Sequence, residues 1–308
     1  MELATGCGTA LITPFRTDGS IDEQALYALA QWQVESGINW IVACGTTAET
    51  PTLNDQEWPH VVRIICEAVA GRIPVWVGCT HNSTREAVAR ARTAAGVPGV
   101  TAILSACPYY NKPTQEGLFE HFKAVARATS LPTVLYNIPS RTGVNLEPAT
   151  VLRLIESSPS IQGIKESSSN LPQITSLLTQ APAGFRVYSG DDNMVLGVIA
   201  AGGAGVVSVA ANEIPAEMAQ MVQAALANEW SAARRLNRKY FRLFEANFCE
   251  SNPGPVKAVL AMMGKCGENY RLPMVPVSGT NRARLERIAG ELGLLIHAPR
   301  PEGDFRMF

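Results

Sequence analysis

Residues 74–106 read PVWVGCTHNSTREAVARARTAAGVPGVTAILSA. The run 74–79 is short, apolar and rich in β-branched and aromatic residues, and 101–106 is a second run of the same kind. Between them Ser83, with Glu86 three residues on, signals the start of a helix. The alanine-rich stretch that follows has helical periodicity. Strand, helix, strand in about 30 residues is a βα unit, whose helical crossover makes the flanking strands parallel.

The pattern repeats outward in both directions. Strand candidates stand at 8–13, 40–44, 74–79, 101–106, 133–137, 161–165, 186–189 and 206–209. Helix starts are signalled by Asp22 ahead of 25–34, by Asn54 with Glu57 three residues on, and by Thr114 ahead of 116–128. Eight strands, each followed by a helix, predict an α/β fold of the closed (β/α)8 TIM-barrel type. Periodicity alone leaves an open doubly wound sheet as an alternative. After the eighth unit come three helical stretches, 230–248, 256–266 and 281–295, with no strand between them. The expected organisation is a barrel over 1–229, a three-helix C-terminal appendage over 230–296, and a fraying tail over 297–308.

Composition fits such a chain. Of 308 residues, 46% are hydrophobic and 17% charged, so disorder is excluded. Lys+Arg 26 against Asp+Glu 27 leaves a net charge of -1, which argues against nucleic acid or anionic lipid as a partner. The seven cysteines lie at least 13 residues apart, too far for a C-x-x-C pair or a local zinc site. Free thiols in a reducing compartment are expected, and the absence of Lys or Arg before Arg16 gives no secretory signal, so the cytoplasm is the expected location. Residues 194–211 carry no charge but are interrupted by Gly197, Gly202, Gly203 and Gly205. That reads as a buried helix and strand rather than a membrane span.

In a (β/α)8 barrel, chemistry gathers at the C-terminal ends of the strands. Six lysines occur, and Lys165 alone ends an apolar strand. An amine in a barrel mouth is desolvated, which disfavours its charged form and leaves the free base a nucleophile needs. The competing reading pairs it with Glu166. Thr46, Tyr110 and Tyr136 bring hydroxyls from three other strand ends, as Schiff-base chemistry requires for moving protons. Arg141, in a Pro-Ser-Arg-Thr-Gly loop, can hold a carboxylate, and Thr47 beside Gly45 offers a hydroxyl and N–H groups to an anion. The four histidines lack metal-ligand spacing, and the glycine run at 202–205 is neither a dinucleotide nor an NTP loop. Neither metal nor cofactor is expected.

Five motifs occur in order: Gly45-Thr46-Thr47-x-Glu49, Pro108-Tyr109-Tyr110-Asn111, Tyr136-Asn137-x-Pro139-x-Arg141-Thr142-Gly143, Gly163-Ile164-Lys165-Glu166 and Ser189-Gly190-Asp191-Asp192. Together they resemble the pyruvate-dependent class I aldolase superfamily of the dihydrodipicolinate synthases and N-acetylneuraminate lyases, over roughly residues 6 to 295. The resemblance implies an imine between Lys165 and pyruvate, and a proton relay through Thr46, Tyr136 and a Tyr110 reaching in from a neighbouring subunit. It implies that Thr47, with Gly190 and Val207 nearby, holds the pyruvate end. Arg141 would bind the carboxylate of aspartate semialdehyde, and four subunits would assemble as a dimer of dimers. A sister aldolase acting on a sugar acid and a non-catalytic keto-acid-binding barrel are the alternatives. Ala48, Thr50 and Val207 depart from the Gly, Ser and Ile common in the family. The resemblance also implies a lysine-binding cleft between paired subunits at Thr50, Pro51, Asp55, Trp58, Asn82, Glu86 and Tyr109. There Asp55 and Trp58 replace histidines, and the bulk of the Trp58 indole is expected to obstruct the cleft and weaken inhibition by lysine.

Overall fold

The computed structural model describes residues 2–295; the tail expected over 297–308 lies outside the described residues. Eight parallel strands close on themselves in sequential order, β1 (Gly6–Ala10), β2 (Trp40–Ala43), β3 (Val75–Gly78), β4 (Val100–Ala106), β5 (Thr133–Asn137), β6 (Ile161–Glu166), β7 (Arg186–Ser189) and β8 (Gly205–Ser208). β8 pairs with β1, with Val207 opposite Gly8. The open-sheet alternative is thereby ruled out. Helices α1 (Glu23–Glu35), α2 (Glu57–Val69), α3 (Thr84–Ala95), α4 (Gln115–Arg127), α5 (Pro139–Thr142), α6 (Pro148–Ser157), α7 (Leu171–Gln180), α8 (Val195–Ala200) and α9 (Pro215–Leu226) follow the strands. Three more, α10 (Trp230–Ala246), α11 (Gly254–Met262) and α12 (Gly279–Glu291), follow the last barrel unit.

Strand alternation divides the apolar residues between two cores. Outward side chains pack under the helices, for instance Ile41 and Val77 against Val61 and Ile65 of α2. Inward side chains fill the barrel. Trp40 and Trp76 stack with centroids 4.7 Å apart, and Tyr188 meets both edge-on at 5.3 and 5.4 Å. These three rings need space, and Gly8 supplies it: a Cβ there would overlap the Trp40 indole. The Tyr188 hydroxyl donates to Ala4 O (2.7 Å), tying the N-terminal segment to the barrel interior. Removing either indole would leave a cavity costing about 3–5 kcal/mol. The aromatic layer fills the interior, so the barrel is a packed core rather than a pore.

Three of the four helix signals form hydrogen-bonded caps. Asp22 accepts from Ala25 N–H, Thr114 Oγ1 from Gly117 N–H, and Asn54 and Glu57 cap each other reciprocally. Ser83 begins α3 without a side-chain cap, because Glu86 turns to Arg85 and the Ser83 N–H donates to His81 Nδ1. β1 lies earlier than the expected 8–13, since beyond Ala10 the backbone turns to a side chain: Ile12 N–H donates to Asn212 Oδ1 and Asn212 Nδ2 donates to Ala10 O. Residues 194–211 divide between α8, a glycine turn and β8. Among the described residues no helix is long and apolar enough to cross a membrane.

Candidate active site

Lys165 lies on the inward face of β6, directly beside Tyr136 of β5 in the strand register. It is buried, and its Nζ sits 4.2 Å from the centroid of the Tyr136 ring. The pairing with Glu166 does not form. Glu166 points to the opposite face, where it accepts from Asn137 Nδ2 (3.0 and 3.2 Å) and from Ser168 N–H (2.9 Å). Burial raises its carboxyl above the usual range, and those donors oppose the rise. Gly190, just after β7, leaves Lys165 its room, since a Cβ there would overlap Ser167 Oγ and stand 2.8 Å from Lys165 Cε. Burial likewise raises the Asp191 and Asp192 carboxyls, against the pull of the nearby Lys165 charge.

Above the aromatic layer opens a cavity of about 420 Å³, whose wall includes Lys165, Tyr136, Thr46, Thr47, Arg141 and Gly190. Six residues singled out in the sequence thus share one space. Thr46 and Thr47 stand in a short 3-10 turn after β2, with Glu49 behind them in the left-handed region at φ 53°. Thr47 Oγ1 accepts from Asn252 Nδ2 (3.0 Å), which leaves its own proton free to donate elsewhere. Arg141 sits on the single turn of α5, and its Nη2 reaches Asn252 O (3.4 Å).

Other expected residues lie elsewhere. Tyr110 is 87% exposed at φ 73° and does not line the cavity of its own chain. Val207 packs in the interior layer with Trp40 and Tyr188, and Val209 lines the cavity instead. Of the expected effector residues, Thr50, Pro51 and Tyr109 line this same cavity. Asp55 is exposed, Asn82 O accepts from Asn111 Nδ2 (3.0 Å), and Glu86 pairs with Arg85. Trp58, on the buried face of α2, packs in the cluster with Leu53 and Val61.

Two functional features escaped the sequence reading. Phe248 and Asn252 extend the wall from the segment after α10. Lys257, in the helical stretch 256–266, is wholly buried and paired with Glu49 (2.6 Å). The signal was there: Pro255-Val256-Lys257-Ala258-Val259-Leu260 surrounds one lysine with apolar residues, and a buried lysine needs a partner.

A barrel with a buried lysine amine facing a cavity among hydroxyls at its mouth is the frame of a Schiff-base enzyme. Residues 3–292 match the Dihydrodipicolinate synthetase family, and the chain belongs to that family. It is 71% identical over 302 residues to a 4-hydroxy-tetrahydrodipicolinate synthase of Acidobacterium capsulatum, covering 98% of this chain and 100% of the relative. It is 56% identical over 293 residues to a 4-hydroxy-tetrahydrodipicolinate synthase of Koribacter versatilis, covering 95% of this chain and 97% of the relative. The crystal structure of a chloride-inhibited dihydrodipicolinate synthase from Acinetobacter baumannii complexed with pyruvate superposes with a TM-score of 0.93 at 40% identity, covering 95% of this chain and 100% of that one.

Proposed function

We infer that this enzyme is a lyase that condenses pyruvate with L-aspartate 4-semialdehyde to 4-hydroxy-tetrahydrodipicolinate, in lysine and diaminopimelate biosynthesis. The observation that carries its chemistry is the separation of two buried lysines: Lys257 is locked to Glu49, whereas Lys165 faces the cavity with Tyr136 as its neighbour. The Lys165 amine attacks the keto carbon of pyruvate, and loss of water gives the imine. Loss of a proton from the pyruvate methyl gives the enamine, which attacks the aldehyde carbon of the second substrate. The substrate's own amino group then attacks the imine carbon and releases Lys165 as the ring closes.

Tyr136 and Thr46, which line the cavity with Lys165, carry the protons of these steps in this reading, with Tyr110 supplied by a neighbouring subunit. Thr47 donates to the pyruvate carboxylate. Arg141, at the opening, takes the carboxylate of the semialdehyde, which a sugar-derived aldehyde would not present in the same place. Tyr110 in this role requires at least a pair of subunits, and the assembly proposed is a dimer of dimers. Its seven free thiols suit the reducing cytoplasm.

The test is borohydride reduction in the presence of pyruvate, followed by peptide mass mapping. The mass of a reduced pyruvyl adduct is expected on Lys165, and none in Lys165→Ala; an adduct on any other lysine would refute the assignment.

A further inference from the structure

The loop that carries Thr46 and Thr47 is held from outside the barrel. Four ties reach it, all from beyond residue 250. Asn252 Nδ2 donates to Thr47 Oγ1 at 3.0 Å. Lys257 Nζ on α11 donates to Glu49 Oε1 at 2.6 Å and to Thr13 O at 3.1 Å. The Arg271 N–H donates to Glu49 Oε2 at 3.2 Å, so both oxygens of that carboxylate are engaged. The Arg271 guanidinium grips the far end of the same segment through Thr52 O (2.9 Å) and both oxygens of Glu57 (2.6 and 2.7 Å).

These ties act on a backbone that would not hold its shape alone. Cys44 and Glu49, neither a glycine, bracket the two threonines in the left-handed region at φ 52° and 53°. Such residues persist only where their surroundings over-determine them. Stability alone does not account for the Lys257–Glu49 pair either, because a buried ion pair is seldom better than an apolar pair of the same volume. What the pair adds is direction. It fixes the turn on which the Thr47 hydroxyl stands, while Asn252 occupies an acceptor position on that hydroxyl and leaves its proton to point into the cavity.

We propose that the C-terminal appendage sets the enzyme's affinity for pyruvate, with Lys257 and Asn252 as positioning residues that hold the Thr46–Thr47 turn in the cavity wall. This rests on the reading of Thr47 as the donor to the pyruvate carboxylate. The two residues touch the turn at different atoms, so their effects converge on one structural element and are coupled.

The experiment uses the full chain with Asn252→Ala, with Lys257→Met/Glu49→Gln, which removes both buried charges together, and with all three substitutions. Pyruvate KM, kcat, borohydride trapping at saturating pyruvate and thermal midpoint are measured for each. Asn252→Ala and the double variant are each expected to raise the pyruvate KM about tenfold, the effect of one lost hydrogen bond, with kcat changed less than about threefold. The triple variant is expected to fall well short of the product of the two effects, as coupled sites do. Trapping at saturating pyruvate should remain on Lys165. A purely structural role would lower the midpoint and the active fraction while leaving the pyruvate KM unchanged, and that result would overturn the proposal. So would effects that multiply independently. If the unsubstituted enzyme failed to trap pyruvate on Lys165, the assignment of the reaction itself would fall, which is a separate outcome.

Discussion

At the scale of single residues, the site depends on one side chain that is present and one that is missing. Lys165 was legible in the sequence because strand alternation puts the last residue of an apolar run at a barrel's mouth. The need for Gly190 was not, since it arises from how closely β7 approaches a side chain of β6. Gly190→Ala is therefore expected to leave the barrel folded but to slow imine formation at least about tenfold, read from the rate of borohydride-trapped adduct; a normal rate would show that Lys165 shifts freely. Arg141 separates the two substrates. Loss of a charged hydrogen bond is worth about 1.5–3 kcal/mol, so Arg141→Ala should raise the KM for aspartate semialdehyde by roughly 10- to 150-fold while pyruvate still traps on Lys165. Collapse of pyruvate trapping in that variant would assign the arginine to the first substrate or to the fold.

At the scale of elements, polar groups buried between helices and the barrel govern how stability responds to pH. Glu213 lies between a 3-10 turn (Ala210–Asn212) and α9, and its Oε2 accepts from Asn247 Nδ2 (2.7 Å) at the end of α10. Its Oε1 is buried without a partner. Burial pushes this carboxyl well above the usual range, and the nearby Asp192 charge adds to the rise. A group whose folded pKa lies above its unfolded value holds more protons in the native state, so its contribution is complete at low pH and is lost as pH rises through the folded value. Glu213→Gln removes that loss. Melting curves should show the variant more stable than the parent by a few degrees at pH 7–8, with the gap closing toward pH 4; a gap that did not vary with pH would exclude Glu213 as the titrating group. Element boundaries taught a related lesson. Asn54 and Glu57 cap each other as their spacing implied, whereas Glu86 at the same spacing found Arg85, because an exposed carboxylate takes whichever donor is nearest.

At the scale of the whole molecule, Tyr110 is the residue that one chain leaves unexplained. A tyrosine 87% exposed and held at φ 73° contributes nothing to its own cavity. If it completes the relay of a neighbouring subunit, two defective proteins should repair each other. Lys165→Ala and Tyr110→Phe enzymes, each weak or inactive alone, should regain activity when dissociated, mixed and reassembled, because some sites then pair an intact Lys165 with an intact Tyr110. Mixing without recovery, in a sample shown by ultracentrifugation to contain hybrids, would place Tyr110 outside the reaction. The parent protein should sediment as a tetramer, and activity should fall on dilution below its dissociation range.

The sequence by itself determined the eight βα units and the strand ends that carry most of the candidate site, because both rest on local signals, whereas closure of the sheet into a barrel was decided by the pairing of β8 with β1. Period-two and helical patterns mark the eight βα units, and the strand ends at which Thr46, Tyr136, Arg141 and Lys165 stand follow from those units. What only the tertiary structure decided are contacts between parts of the chain more than 200 residues apart: Lys257 on Glu49, Asn252 on Thr47, Arg271 on Glu49 and Glu57. No periodicity encodes such partners. A lone lysine in an apolar helix declares that it is buried and must be paired, but which carboxylate it meets depends on how the appendage docks against the barrel. Trp58 shows the same limit from the other side: that its indole packs in its own chain's core follows from how α2 docks on the barrel, not from any pattern around it.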